Sequence, residues 1–172
     1  MLTWFCVRSH PKHEHIAAAY LEKEMGLEVF LPRIRFKRAT RRGAVWFTEA
    51  LFANYIFARF DLALHLRRLH HGRGVQGVVH FGGHWPVVQD EVIADLRASI
   101  GNDQIHVVSE DLHPGEIVLI AEGAFVGLRA VVERVMPARC RVAVLLEFLG
   151  RQTKVEICSA ALVPDSDPRA RM

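Results

Sequence analysis

A chain of 172 residues that is 51% hydrophobic is large enough for one ordinary domain or two small ones with packed cores. Its longest apolar runs, such as Val142 to Leu146, fall far short of the roughly 20 residues of a membrane-spanning helix, and its first residues lack the basic segment of a signal peptide. We therefore expect a cytoplasmic protein with no membrane partner. The net charge of +3 divides into +5 over residues 1–100 (14 Lys and Arg against 9 Asp and Glu) and −2 over residues 101–172 (8 against 10), which makes the first half the candidate for nucleic-acid binding.

The first hundred residues predict strands alternating with helices. Pro11 fixes a turn before the first helix, and Gly26 is expected to end that helix. Asp61 and Asp90 are expected to cap the second and third helices. The run from Arg33 to Gly43 has six positive charges and no negative charge, which is typical of a solvated loop or hairpin. The predicted strands are Thr3 to Arg8, Leu27 to Leu31, Val45 to Thr48, Asn54 to Phe60, Gly77 to Phe81 and Trp85 to Val88, and the predicted helices are His13 to Met25, Leu62 to His70 and Glu91 to Ile100.

The last third of the chain has a different pattern. Residues 102–114 are polar with little periodicity and are predicted to be a linker, and the tail from Pro164 is expected to fray. Short apolar segments separated by Gly and Pro favour a small β-barrel, although several of the same residues also recur at three- and four-residue intervals, as in two helices. Because β-branched residues dominate, we predict the barrel as the ground state. Its strands are expected over Glu116 to Ala121, Arg129 to Val135, Arg141 to Phe148 and Lys154 to Ile157.

Metal binding and catalysis find little support in the sequence. Three cysteines without a CxxC pair argue against a disulfide framework or a zinc site, and each is expected to be a small buried residue. The ten histidines include no HExxH motif. There is no GxSxG motif and no phosphate-binding glycine loop, and Cys6 lies in an apolar strand that suits a nucleophile poorly. We expect a protein that is not an enzyme and has no metal or cofactor.

The segment Leu51 to Phe60 has more aromatic residues than one buried strand face needs. In strand alternation, Tyr55, Phe57 and Arg59 share one face, while Ile56, Ala58 and Phe60 share the other, so both faces are largely apolar. One interpretation is a strand buried on both sides. The other is an apolar patch that receives a partner, with Phe52, Tyr55 and Phe57 as anchors.

Two basic clusters are further candidates. His65, Arg67, Arg68 and Arg73 lie on and after the second predicted helix, where guanidinium groups suit phosphates and bases, although a solvated helix face is the alternative. A second cluster at the junction of the first strand and first helix is predicted to contact an anion, with a solvated helical turn as the alternative. Its members are His10, Lys12 and His13. The basic run from residue 33 to 42 is expected to add salt-sensitive attraction to nucleic acid without sequence specificity.

Four stretches follow one another in order over nearly the whole chain. They are Trp4 with 11–14, 17–21 and 28–32, then Leu51 to Asp61, then Gly72 to Val75 with Phe81 to Gly83, and last Gly115 to Val118 with Glu122 to Phe125 and Gly127. Together they resemble the NusG family of transcription factors, and the last stretch looks like a KOW motif. Ala53-Asn54 departs from the Pro-Gly of most members, and Asn54 with Ala124 is similar to the specialised RfaH-like branch.

The resemblance implies an α+β NusG N-terminal (NGN) domain with an antiparallel sheet over residues 1–101, a linker over 102–114 and an SH3-like KOW barrel over 115–165. It further implies a monomeric elongation and antitermination factor that bridges the RNA polymerase cleft. In such a factor the aromatic anchors bind the clamp helices of the largest polymerase subunit. The gate loop of the second-largest subunit is expected to contact His65, Arg67 and Arg68. Arg73 and the cluster at His10 are then expected to contact the non-template DNA strand.

For the C-terminal domain, the resemblance implies binding to a small-subunit ribosomal protein or to the termination factor Rho. The RfaH-like branch also implies a domain that switches between an α-hairpin and a barrel. The polar Thr run typical of that branch is replaced here by Leu66-Arg67-Arg68, so the gate-loop contact departs from the pattern. The alternatives are a general NusG that assists Rho-dependent termination and an RNA- or ribosome-binding KOW protein that does not meet polymerase.

Overall fold

The computed structural model describes residues 1–109 and 111–171. They form two compact units, the first comprising Met1–Ile34 and Glu49–His106, the second comprising Arg35–Thr48 and the chain from Val107 onward. No helix of the described residues is long and apolar enough to cross a membrane. In chain order the elements are β1 (Thr3–Ser9), α1 (Glu14–Ala19), β2 (Glu28–Phe30), β3 (Arg33–Thr40), β4 (Gly43–Ala50), β5 (Tyr55–Phe60), α2 (Leu62–Leu69), β6 (Val75–Val78), β7 (Val87–Val88), α3 (Asp90–Ile100), β8 (Ile105–Val107), β9 (Ile117–Ile120), β10 (Arg129–Met136), β11 (Arg141–Phe148), β12 (Arg151–Cys158) and β13 (Leu162–Pro164).

The first unit is built on an antiparallel sheet in the order β2-β5-β1-β6, with β7 also paired to β1. Alternate residues of β5 point to opposite sides, and the side that holds Ile56, Ala58 and Phe60 is fully buried. These residues pack with Phe5 and Val7 of β1, and the helices complete this core. The antiparallel sheets and few helices agree with the fold class that the NusG resemblance implies.

The predicted helices are present, with one error at a helix start. Helix α1 continues through a π-helical turn, Tyr20–Glu24, and Asp61 caps α2 by accepting hydrogen bonds from the amides of Ala63 and Leu64. The prediction that Asp90 caps α3 was wrong. Gln89 is the N-cap, because its extended backbone starts the helix one residue earlier, and Asp90 lies in the first turn, where a carboxylate favours the positive helix end.

The basic run is a regular hairpin of β3 and β4, which is the ordered form of the predicted loop or hairpin. Strand β3 lies between β4 and β8 in a three-stranded sheet. Strand β8 falls within the predicted linker, so part of that segment is regular structure. Its two β-branched residues, on either side of His106, favour a strand. The division into domains of 1–101 and 115–165 stays a prediction.

The C-terminal part of the second unit is a five-stranded antiparallel sheet in the order β12-β11-β10-β9-β13. Strands β9 to β12 match the four predicted segments, whereas β13 was not predicted because it has only three residues and a polar sequence follows it. The apolar residues Val118, Val132, Val144 and Leu146 form the core of this sheet. Of the two periodicities in the sequence, the strand pattern is the one found here.

Two smaller expectations were wrong. Cys140 and Cys158 are exposed, since Cys140 occupies a left-handed turn (φ +51°) and Cys158 ends an edge strand, while Cys6 is half-buried. The tail also has more order than expected. Residues Pro168–Arg171 form a 3₁₀ turn, and Arg171 pairs with Glu116 and donates to the carbonyl oxygen of Asp111 at 2.8 Å.

Replacement of the glycine in the turn before β6 is expected to destabilise the protein. A Cβ at Gly74 would lie 3.0 Å from the Ala17 nitrogen and 3.2 Å from Cγ2 of Ile16, and the Gly74 backbone has φ +77°. We expect Gly74→Ala to lower the free energy of unfolding by at least about 1–2 kcal/mol, the cost of a left-handed alanine alone. Gly83→Ala is the matched control, since nothing lies within 4 Å of its Cβ position, and it should change stability by less than about 0.5 kcal/mol. Urea denaturation of both variants checks the difference, and equal stabilities would contradict it.

Candidate functional site

The outer face of β5 carries aromatic side chains that the core does not absorb. Phe52 is 39% exposed and Tyr55 is 37% exposed, and Phe57 is half-buried. We call these three residues the aromatic patch. Of the two interpretations of this strand, burial on both faces does not describe the structure, because only the face of Ile56, Ala58 and Phe60 is closed.

Two rings of the patch, those of Phe52 and Phe57, are held by contacts within the first unit. Phe57 stacks on Phe30 with ring centroids 6.1 Å apart, and Phe52 meets Phe57 edge to face at 5.8 Å. Both arrangements are among those that aromatic pairs prefer. Phe57 is therefore the base of the patch, and Phe52 and Tyr55 are its accessible edge.

The turn that precedes β5 fixes the position of Phe52. The Tyr55 amide donates to the Phe52 carbonyl at 3.0 Å, and the Asn54 amide donates to Oε1 of Glu14 at 2.8 Å. Asn54 has φ +69°, a conformation that Gly and Asn adopt more readily than other residues. Asn54 thus keeps a turn geometry that a Gly would also allow.

A charged network borders the patch. Arg97 of α3 lies over the rings of Trp4 and Phe30 at 5.3 and 5.2 Å and donates to Glu28 at 3.1 Å. Arg59 approaches Glu28 at 3.6 Å. The Arg97 guanidinium thus lies over two aromatic rings beside the patch and keeps its charge in an ion pair with Glu28. Sequence reasoning missed Phe30 and this network, because the pairing of β2 with β5 and the contact of Arg97 with Glu28 join distant positions that local periodicity does not connect.

Cys6 lies opposite Phe57 on β1 and belongs to the same sheet face. Desolvation by burial raises the pKa of the Cys6 thiol to about 11. The thiol is therefore neutral at physiological pH and contributes a small apolar surface, as a cysteine in an apolar environment does.

Helix α2 presents its basic residues in different ways. His65 is half-buried, with Nδ1 2.9 Å from the Asp61 carbonyl oxygen and its ring edge to face with Phe60. Arg68 is exposed and donates to the Glu24 carbonyl at 3.0 Å, and Arg67 is also exposed. A hydrogen bond from the Met1 amine, followed by the capped amides, lowers the pKa of Asp61, so this cap is an anion at neutral pH.

The residues predicted to contact an anion lie on two segments, the β1–α1 junction and the 72–74 turn, which a backbone hydrogen bond joins. The His10 amide donates to the Gly74 carbonyl at 2.9 Å, and the His10 and His13 rings are 6.2 Å apart, edge to face. Lys12 and Arg73 are exposed. Hydrogen bonding of residue 10 to the turn brings sequence-distant basic side chains to one surface. In residues 1–109 and 111–171, no three His, Cys, Asp or Glu side chains are grouped as metal ligands would be.

Comparison with known proteins gives one consistent result. The family model described as "Transcription termination factor nusG" matches residues 2–97. The transcription termination/antitermination protein NusG of Thermus thermophilus is 25% identical over 176 residues, covering 91% of this chain and 95% of the relative.

Matches among solved structures include Thermotoga maritima NusG, with 19% identity and a TM-score of 0.42 over 96% of this chain and 98% of that one. The MjSpt4:Spt5 complex in its conformation A has 19% identity and a TM-score of 0.37 over 95% of this chain and 98% of that one. The family match spans more than half of the chain, and the family's members include transcription termination and antitermination proteins rather than enzymes. This chain therefore belongs to the NusG family and shares its general role in transcription elongation and termination.

Proposed function

We propose that the chain is an RfaH-like specialised member of the family, which binds RNA polymerase across its cleft and suppresses pausing and termination. The observation that carries this proposal is the aromatic patch. The Phe52 ring is held by its contact with Phe57, and the Tyr55 amide is hydrogen-bonded in the turn, yet more than a third of each residue remains exposed on the side away from the core. Exposed aromatic rings in a rigid setting are typical anchors for an apolar helix. The proposed occupant is the pair of clamp helices of the largest polymerase subunit.

The second polymerase contact is proposed for α2. Arg67 and Arg68 extend from its exposed surface, and His65 lies one turn earlier, close to the capped helix start. These donors suit the backbone and carboxylates of a loop such as the gate loop of the second-largest subunit. Arg68 already donates to a carbonyl of the first helix, so we assign it a smaller share of this contact than Arg67.

The nucleic-acid contact is proposed for the surface formed by His10, Lys12, His13 and Arg73. Three of these side chains are on or beside the β1–α1 junction, and the fourth lies in the turn that is hydrogen-bonded to it. A phosphate group there meets cations from two separate segments. The proposed ligand is the non-template DNA strand, and the protein acts as a monomer.

For the C-terminal sheet we propose a KOW barrel over residues 115–165. The 102–114 linker separates it from the domain proposed over residues 1–101. The barrel would recruit a small-subunit ribosomal protein or Rho. Phe125 and Phe148 meet edge to face at 5.5 Å, and Leu149 next to them is 86% exposed. An apolar loop tip supported by an aromatic pair suits a protein partner.

A second candidate is a general NusG that assists Rho-dependent termination. It is supported by the family model described as a transcription termination factor. The left-handed backbone of Asn54 is compatible with both branches, because a Gly in this turn could adopt the same conformation. Termination assays with and without Rho discriminate them. Enhanced termination with Rho supports the general factor, whereas reduced termination supports the specialised one.

The test is single-round transcription with purified core polymerase. The native chain should shorten pause lifetimes, and a Tyr55→Ala, Phe57→Ala variant should lose most of this effect because it removes an anchor and the base of the patch. Phe148→Ala is the matched control, since this ring is 43% exposed but lies outside the patch, and it should act as the native chain does on pausing. Equal pause lifetimes with and without the native chain would refute the proposal.

A further inference from the structure

The β3–β4 hairpin carries an indole ring on its accessible surface. Trp46 is 37% exposed, whereas Trp4 of the first unit is 3% exposed. The guanidinium carbon of Arg35 is 5.2 Å from the centroid of the Trp46 ring, and Nζ of Lys37 is 6.0 Å from it. Arg35 and Lys37 alternate along β3 and share one face with the indole. We call these three residues the Trp46 platform.

The opposite face of the hairpin has a different role. Phe36 is buried and stacks with Phe47 at 6.4 Å, and the guanidinium of Arg38 lies over both rings at 5.1 and 5.2 Å. This face therefore provides the apolar packing of the hairpin. The Trp46 platform leaves its large ring partly open on the other face.

The positive charge of the hairpin favours an anionic ligand. Residues 33–50 contain six Lys and Arg against one acidic residue, Glu49, near the end of β4. An aromatic ring between cations suits a polyanion that also carries planar rings. A single-stranded nucleic acid meets both requirements, because bases stack on aromatic side chains and phosphates pair with the neighbouring cations. A duplex meets only the second, since its bases are already stacked on one another.

We propose that the Trp46 platform is a binding site for single-stranded nucleic acid, in which an unpaired base stacks on the indole while Arg35 and Lys37 contact the flanking phosphates. RNA and DNA supply the same chemistry, an unpaired base between two phosphates. The platform shares no residue with the aromatic patch or with the surface proposed for the non-template strand. This site binds in the absence of polymerase, so it goes beyond the proposed function and is tested separately from it.

Fluorescence anisotropy of the full chain with a labelled oligonucleotide of about 12 nucleotides, long enough for a typical single-strand site, measures the binding. RNA and DNA strands of one sequence and the corresponding DNA duplex are compared, and the preferred strand identifies the polymer. Trp46→Ala should weaken single-strand binding by roughly 5- to 100-fold, as loss of one stacked base does. Trp46→Phe should retain part of the affinity, and Thr48→Ala, an exposed residue two positions along β4, should match the native chain.

Quenching of tryptophan emission by the single strand separates this site from other basic surfaces. The quench should be present in the native chain and in Thr48→Ala, and absent in Trp46→Phe. Circular dichroism confirms that each variant is folded, and Arg35→Gln with Lys37→Gln weakens binding without altering the ring. Unchanged affinity of Trp46→Ala and Trp46→Phe, equal affinity for the duplex, or equal binding of polyglutamate would each overturn the proposal.

Discussion

Replacing Phe60 by alanine is expected to lower the free energy of unfolding of the first unit by about 3–5 kcal/mol, the usual cost of removing a buried phenylalanine ring. Phe60 is fully buried, and the centroid of its ring lies 4.9 Å from the centroid of the Phe5 ring. The loss combines the burial of the ring with the cavity that it leaves, since the neighbouring strands cannot collapse into the space. Urea denaturation followed by far-ultraviolet circular dichroism measures the change.

Tyr55→Ala on the same strand is the control for Phe60→Ala. Its side chain is on the opposite face and partly exposed, so we expect a loss of about 1 kcal/mol or less. If both variants lose similar stability, the two faces of β5 do not differ in the way the structure describes.

The second large effect concerns binding. Under the proposed function, Phe52→Ala and Tyr55→Ala should each weaken the affinity for core RNA polymerase by about 30-fold, the equivalent of about 2 kcal/mol for an aromatic anchor. Both side chains are partly exposed and lie outside the core, so their loss should reduce binding much more than folding stability. Equilibrium titration of labelled polymerase with each variant measures the dissociation constants.

Phe148→Ala again provides the comparison, because it removes a ring of similar exposure from the C-terminal sheet. Its dissociation constant should equal that of the native chain. Native affinity in both patch variants, with folding intact, would show that the aromatic patch is not the polymerase contact.

Local patterns predicted most elements of this fold, because alternation, capping and turn residues act within a few positions. The alternation of β5 separated its two faces, but it did not show which face is open. That difference arises from helix residues at distant positions, such as Leu21 and Leu69, which pack into one core with Ile56, Ala58 and Phe60. In the C-terminal region both helical and strand periods fit the sequence, and only the pairing of β10 with β11 and β9 selects one of them.

Asp90 shows a different limit of local reasoning. An aspartate before a helical pattern is equally compatible with the cap and with the first turn. The extended backbone at Gln89 decides between these positions, and no residue type near it requires that conformation. For the site, residue types identified the basic clusters, whereas the hydrogen bond of His10 to the 72–74 turn was needed to place Arg73 beside them.

The difference between the buried and the outward-facing side of β5 has an evolutionary consequence. Even-numbered positions such as Ile56 and Ala58 are constrained by the interior they fill, so most replacements there reduce the amount of folded protein. Odd-numbered positions such as Tyr55 face outward and can exchange one side-chain chemistry for another at little cost in folding. Duplicated copies of such a gene can therefore diverge in what they recognise while they keep the same scaffold.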